Sequence, residues 1–393
     1  MAPCSGGAAV DSIKRRALHK KLAICLLPNV ILMIKKTLLL SLAFLMAYSH
    51  TAQAFENIRV VVLNNKRTVT LKAQAGLMVE GSPSDHKEKK MIFGSSLIGT
   101  RPVRVRSAGE FIEVNGKSYR GRIELRKKKN GLLLVINELD IEDYLQGVIA
   151  EEIPHDWEFE ALKAQAVASR TYALYQKRAA GKRTYHLLAT VNGQVYSGRS
   201  GEHARAVQAV RKTEGIIITH GGEIIPAFYH ASCGGHTENA MELWGLDVPY
   251  LRGVDCDCQE ISKYGLWEKR LSIAQVAAAL HRQGYRLKGI GKLEINGITA
   301  AGRVKQVSIY HAAGIESVSA ETLRAAIGYA VIPSVFFEIA VTGTEIVLSG
   351  RGSGHGVGLC QWGAQEMAQR GQDYKTILSH YYPETTLMRT ENP

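Results

Sequence analysis

Several signatures of common chemistry are missing from this sequence. It has no H-E-x-x-H pair, no G-x-x-x-x-G-K-[ST] phosphate loop, no G-x-S-x-G nucleophile elbow and no G-x-G-x-x-G dinucleotide turn. The usual zinc proteases, P-loop NTPases, serine esterases and nicotinamide oxidoreductases are therefore set aside. No internal repeat and no long low-complexity linker interrupts the chain, which excludes solenoids and tethered arrays. Charge is not in excess either: 22% charged and 46% hydrophobic over 393 residues fits one large or two ordinary folded domains rather than a disordered chain.

What is there begins with a basic balance. The formal net charge is +13, and seven Lys/Arg against one Asp lie in the first 54 residues. The rest keeps a surplus of seven positive charges, too diffuse to argue for nucleic acid and suited to an anionic polymer or a membrane surface. The stretch Met33 to Ala54 has Lys35 and Lys36, an apolar run from Leu38 to Tyr48, and Ala52-Gln53-Ala54. That is the layout of a secretory signal peptide cleaved before Phe55, and the apolar run is short for a membrane anchor. Residues 1–32 then form an upstream extension. Cys25 is no lipoprotein cysteine, because Ile24 stands where a small residue is needed. A mature chain from Phe55 would lie outside the cytoplasm, secreted or periplasmic, with four cysteines: Cys233, Cys256, Cys258 and Cys360.

Periodicity divides the chain into 1–54, a β-rich region 55–134 and a mixed region 135–390. Short strand-like runs precede a hairpin, "RGRIELRKKKNGLLLVINELD", with Asn130-Gly131 expected as a type I′ turn. Its tip, Arg126–Lys129, fits a solvated turn or a polyanion contact. "IEDYLQGVIAEE" places Ile141, Tyr144, Leu145 and Val148 on one helical face. An Ala-rich helix follows, with Asp156 as N-cap and Gly181 as its stop. Two strands around His220-Gly221-Gly222, a helix in "LSIAQVAAALHRQG", strands from Lys292 to Leu348 and a last helix in "CQWGAQEMAQRG" complete the order. The expected class is α+β, with mixed, mostly antiparallel sheets and the long Ala-rich helix near a cleft.

Three stretches can carry chemistry. Glu151 and Glu152, in "AEEIP", sit at a helix end, where the helix dipole and each other's charge raise carboxyl pKa values. They suit a general acid, or are plain surface charges. Cys233-x2-His236 with Cys256-x-Cys258 twenty residues on fits a zinc site, or a disulfide from Cys233 to Cys256 or Cys258. Finally, "GSGHGVGLCQWGA" (Gly352 to Ala364) puts glycine on alternate positions around His355, as a ligand-hugging backbone or a tight turn.

Taken together, "GVIAEEIPHDWEFEALKAQAVASRTYAL", "FYHASCGGHTENAMELWG" with "VPYLRGV", and "GSGHGVGLCQWGAQEMAQRG" with "YKTILSHYYP" resemble the SpoIID/LytB family, over roughly residues 135–385. Tyr196 and Gly198 also fit. The resemblance implies a peptidoglycan lytic transglycosylase acting on glycan strands, preferentially peptide-free ones, or a non-catalytic wall-binding protein that enhances an N-acetylmuramoyl-L-alanine amidase. In catalytic members the acid is the Glu of a Ser-Glu-Met-Pro-like motif. Here that motif reads Glu151-Glu152-Ile153-Pro154, so Glu152 takes the role and Glu151 replaces a small residue. Arg170, Tyr172, His355 and Gln361 are the candidate substrate-binding residues. Catalysis would need no cofactor, with zinc at Cys233, His236, Cys256 and Cys258 as a structural option. The expected partners are glycan strands and a cell-wall amidase, without nucleic acid, and with membrane contact only through an uncleaved signal segment.

Overall fold

The computed structural model describes residues 57–82, 88–190 and 193–390. The upstream extension and the signal-like segment lie outside them. Strand patterning is immediate: β1 (Asn57–Lys66) buries Ile58 and Val60, and β2 (Thr68–Val79) buries Val69, Leu71 and Ala73 on alternate positions. Then come β3 (Glu88–Gly94), β4 (Val103–Ser107), β5 (Ile112–Val114), β6 (Lys117–Tyr119), β7 (Arg122–Lys127) and β8 (Leu133–Asp140). With β9 (Leu187–Leu188) they form one sheet in the order β6-β5-β2-β4-β7-β8-β1-β9, β3 pairing with β2. Only the β1–β9 contact in this sheet is parallel. The β7–β8 turn differs from the expected type I′: Gly131 has φ 78° but Asn130 has no positive φ, and Gly131 N–H donates to Lys128 C=O at 3.0 Å. A tighter turn followed by one left-handed glycine replaces two left-handed residues.

One sheet face is apolar and the other carries charge in register. Arg59 opposes Glu138, Arg104 opposes Glu124, and Arg122 opposes Glu138 across the ladders. Glu124 is fully buried under Arg59 (2.7 Å), Arg104 (2.8 Å) and Arg126. Burial alone would raise its carboxyl, but the hydrogen bonds from three guanidiniums outweigh that and hold it below the usual range.

Two helices lead from the sheet, α1 (Ile141–Gln146) and the single turn α2 (Ile149–Glu152). The long helix α3 (Phe159–Ala180) is held between two cores. Its Leu162, Ala166, Ala173 and Leu174 join the sheet core, while Ala161, Ala164, Val167 and Ala168 join a second one. Small side chains on both sides allow that double packing. Its N-cap is Glu158 rather than Asp156, and Gly181 ends it at φ 52° as expected. The boundary at 134/135 falls inside β8, and the first core runs through it.

The helix α4 (Ala204–Lys212) adds Ala206, Ala209 and Val210 to the first core. The second core gathers the sheet of β10 (Ile216–His220), β11 (Glu223–Ile224) and the C-terminal strand Thr386–Arg389, and a parallel pair between β12 (Tyr229–His230) and Leu359–Cys360. It also takes in α5 (Ala240–Trp244) and the two C-terminal helices described below. Residues 267–350 make a third core from two three-stranded sheets and the helices α6 (Ile273–Arg282) and α7 (Ala320–Ile327). This part starts and ends at one place, since Trp267 pairs with Gly350. It touches the second core again where Thr299 Oγ1 donates to Glu238 (2.6 Å) and Arg303 donates to the carbonyls of Cys233 (2.8 Å) and His236 (3.1 Å). The α+β class holds: the sheets are mixed and mostly antiparallel.

Glu124→Ala should cost on the order of 2–3 kcal/mol by urea unfolding at neutral pH, less than a fully buried pair because the arginines still reach water. The native carboxyl is depressed, so its contribution is complete above the ordinary carboxylate pKa. It is lost as pH falls through the depressed value, and the gap between wild type and variant should close in acid. A gap independent of pH would contradict the ion-pair account.

Candidate active site

Helix α1 is capped by Asp140, whose Oδ1 accepts from Glu142 N–H at 2.8 Å. The expected run on through Val148 breaks at Gly147. A Cβ there would lie 2.7 Å from the Tyr196 ring and 2.8 Å from Gly198 O. The 196–198 loop therefore packs on bare backbone, and α2 restarts at a new angle with Glu152 at its end.

Glu151 is exposed, whereas Glu152 is half-buried. Burial pushes it up to about 7. Hydrogen bonding pulls the other way: Val195 N–H donates to Oε1 at 2.9 Å, and the Tyr229 hydroxyl and Gln361 amide stand beside the carboxyl and favour its charged form. Glu151 adds a smaller upward push. The cause is thus burial, not the dipole of a one-turn helix.

The partners of Glu152 are themselves held. Tyr144 Oη donates to Gln194 Oε1 (3.1 Å), and Gln194 Nε2 donates to Tyr229 Oη (3.1 Å) and Ser169 C=O (3.1 Å). Gln165 Nε2 donates to Ser169 Oγ (2.9 Å), and Gln165 Oε1 accepts from Gln361 Nε2 (3.4 Å). Burial raises the Tyr229 hydroxyl well above its ordinary value, so it stays a donor. A buried polar stripe along α3 thereby connects the AEEIP segment to the glycine-rich segment. Tyr229, Gln194 and the Val195 amide were absent from the sequence candidates. Tyr229 opens the "YHASCGG" motif, but nothing in local spacing marks Gln194 or a backbone N–H.

The candidate binding residues separate. Gln361 stands beside the acid and bonds Gln165. Tyr172 lies close by, its ring 6.2 Å from that of Tyr229, and burial raises its hydroxyl. Arg170 does not reach a cleft. It is 1% exposed, clasps Glu142 through two bonds of 2.7 and 2.6 Å, and donates to the carbonyls of Ile216 and Val210. Its role is to join α1 to α3, and the expectation of substrate contact is corrected. His355 is likewise committed. Its Nδ1 accepts from Val357 N–H (3.1 Å), so Nε2 carries the proton and donates to Tyr229 C=O (3.0 Å). Burial lowers it to about 4, which keeps it neutral. His355 fixes the loop, and its polar atoms are not free for substrate. Tyr229 thus ties the two motifs, its carbonyl bonding His355 and its hydroxyl standing beside Glu152.

The alternating glycines also serve packing. A Cβ at Gly358 (φ 73°) would lie 2.2 Å from Phe228 O, and one at Gly354 (φ 102°) 2.7 Å from His230 Cβ. The backbone they admit is the chain's own strand 228–230, rather than a ligand. Beside it the Trp244 ring, 45% exposed, sits 4.7 Å from Phe228 and 5.2 Å from His355.

The metal-ligand expectation changes by one residue. Cys233, Cys256, Cys258 and Cys360 converge, their sulfurs all within 4.8 Å of one another, and all four are free thiols. His236 is outside this group. Its Nδ1 bonds Thr237 C=O at 2.6 Å and its Nε2 points toward exposed Asp255 at 3.9 Å. Cys360 takes its place because β12 pairs in parallel with Leu359–Cys360, setting His230 beside Cys360.

The model of the Stage II sporulation protein family, SpoIID, matches residues 129–220, the span holding Glu152, Gln165, Ser169, Gln194 and Val195. Stage II sporulation protein D of Bacillus amyloliquefaciens is 30% identical over 262 residues, 63% of this chain and 74% of that protein. The chain belongs to the SpoIID family. An uncharacterised protein of Brachyspira hyodysenteriae is 36% identical over 68% of this chain and 72% of its own length. The amidase enhancer of Bacillus subtilis is 31% identical over 62% of this chain, which spans only 40% of that larger protein. In this SpoIID-family chain, Gln361 and Tyr229 lie outside the span matched by the family model, yet both stand beside the carboxyl inside it.

A carboxyl raised in the folded state binds its proton more tightly there than when unfolded. Its favourable contribution is complete below about pH 4.5 and is lost as pH rises through about 7. Wild-type stability should fall by up to about 3 kcal/mol from this source between those limits. Glu152→Gln should remove that slope in urea unfolding curves. An unchanged slope would show that Glu152 is not the titrating group.

Proposed function

We propose that this protein is a peptidoglycan lytic transglycosylase of the cell envelope, with Glu152 as both acid and base. The observation that carries the reading is the half-buried Glu152 carboxyl, poised to hold a proton near neutral pH, bonded by the Val195 amide and flanked by the Tyr229 hydroxyl and Gln361 amide. Protonated Glu152 gives its proton to the glycosidic oxygen as the C1–O bond breaks. The resulting carboxylate then takes the proton of the C6 hydroxyl of the N-acetylmuramic ring as that oxygen attacks C1. The product is a 1,6-anhydro end, and no water is consumed. Hydrolytic glycosidases use two carboxylates, whereas intramolecular attack requires only one. As the carboxyl loses its proton, Val195, Tyr229 and Gln361 offer hydrogen bonds that stabilise the developing charge. The half-exposed Trp244 face suits stacking against a sugar ring.

The envelope location rests on the signal-like segment and on family membership. Among the described residues no helix is long and apolar enough to cross a membrane. A second reading follows from the likeness to the amidase enhancer: the same cleft would bind glycan and stimulate an amidase, with Glu152 structural.

Incubation with peptide-free glycan strands separates the two. Mass spectrometry should find anhydro ends, with the rate reduced at least about 100-fold in Glu152→Gln and an alkaline limb near pH 7 in wild type. Equal product from wild type and variant, or none from either alongside amidase stimulation, would defeat the transglycosylase reading. Trp244→Ala should weaken glycan binding about five- to tenfold in a pull-down titration while leaving the thermal melt unchanged. Unaltered binding would remove Trp244 from the cleft wall.

A further inference from the structure

The four-cysteine cluster lies beside the proposed catalytic groups and has no part in the proton transfers. We propose that Cys233, Cys256, Cys258 and Cys360 together bind one zinc ion, closing a tetrahedral thiolate site that locks the "SCGG" loop to the start of the helix carrying Gln361. That helix, α8 (Gln361–Gln369), is followed by α9 (Tyr374–Tyr381).

Geometry favours a metal over disulfides. Four sulfurs at about 2.3 Å from a tetrahedral zinc stand about 3.8 Å apart. The sulfurs here all lie within 4.8 Å of one another, and Cys233 and Cys258 are 3.3 Å apart, well beyond a disulfide's length of about 2.05 Å. All four converge on one point, where two disulfides would divide them into pairs. The four residues are 0–7% exposed, so the site is closed to solvent, as a structural zinc requires.

The surroundings are those of thiolates. Cys360 Sγ accepts from Cys233 N–H (3.3 Å) and Gly363 N–H (3.4 Å), making the sulfur the N-cap of α8. Tyr381 Oη lies 3.2 Å from Cys256 Sγ, and Ser232 Oγ lies 3.5 Å from Cys258 Sγ. These contacts orient and partly neutralise thiolate ligands. Four thiolates around one divalent ion leave a surplus of negative charge. Arg303, 3% exposed, brings a guanidinium next to it through the carbonyls of Cys233 and His236. Gly363 leaves the needed room, since a Cβ there would lie 2.4 Å from Cys256 Sγ. An all-sulfur tetrahedral set suits zinc, whereas calcium and magnesium prefer oxygen ligands.

The site also bears on Glu152 by position. Cys360 precedes Gln361, and Cys233 follows Tyr229 by four residues. The metal would fix both donors at once, as a positioning device rather than a reactant.

The test uses the full chain, purified without chelator from zinc-supplemented cells. Elemental analysis should find about one zinc per chain, released on titration with an organomercurial and followed with a zinc dye. Cobalt exchanged into the wild-type protein should give the intense sulfur-to-metal charge-transfer absorption of four thiolates, a readout that needs no variant. His236→Ala should keep its zinc, while Cys360→Ser should lose at least about tenfold. The proposal is overturned by a metal-free chain with four titratable thiols, or by one about 4 Da lighter with two disulfides. It is overturned equally by a cobalt spectrum lacking the thiolate band, or by zinc lost in His236→Ala and kept in Cys360→Ser.

Discussion

Half-burying one carboxyl while placing three hydrogen-bond donors around it is the constraint on which this architecture turns. Burial raises the energy of the charged form and the donors lower it, and the balance leaves Glu152 near 7. Each donor comes from a different part of the chain: a backbone amide in the 193–198 loop, a tyrosine on β12 and a glutamine at the head of α8. Holding them together requires the double-sided packing of α3, because its Gln165 and Ser169 bridge those segments. The alanines that flank this polar stripe are small for the same reason.

The glycine-rich segment belongs to the same problem. It runs so close to strand 228–230 that side chains are excluded at Gly354 and Gly358, and its histidine spends both nitrogens on backbone. The result is a fixed frame for Tyr229, gripped at its carbonyl by one motif and at its hydroxyl by another. Polar residues that are conspicuous in a sequence can thus act on a site entirely through the backbone of a neighbour.

Much of this was legible beforehand because it rests on local rules. Short strand-like runs marked β1 and β2, the stretch "LSIAQVAAALHRQG" marked α6, and paired glycines marked the β10–β11 turn. The Glu of the AEEIP stretch was also visible. What escaped depends on long-range contact. The helix break at Gly147 follows from a loop fifty residues away, and Arg170 is silent because Glu142 occupies it. His236 looked like a ligand on spacing, yet the parallel pairing of β12 with Leu359–Cys360 brought Cys360 instead. Register across 130 residues has no signature in a short window.

The segment 267–350 has a mechanical consequence of its own. An insertion whose ends meet, here at Trp267 and Gly350, would ordinarily swing as an arm about that junction. This one is also held on the second core beside that junction, through Thr299 and Arg303. Added hydrogen bonds at a junction resist such a swing. The insertion therefore behaves as a brace, and stiffness gained in its own core is transmitted to the loops it touches.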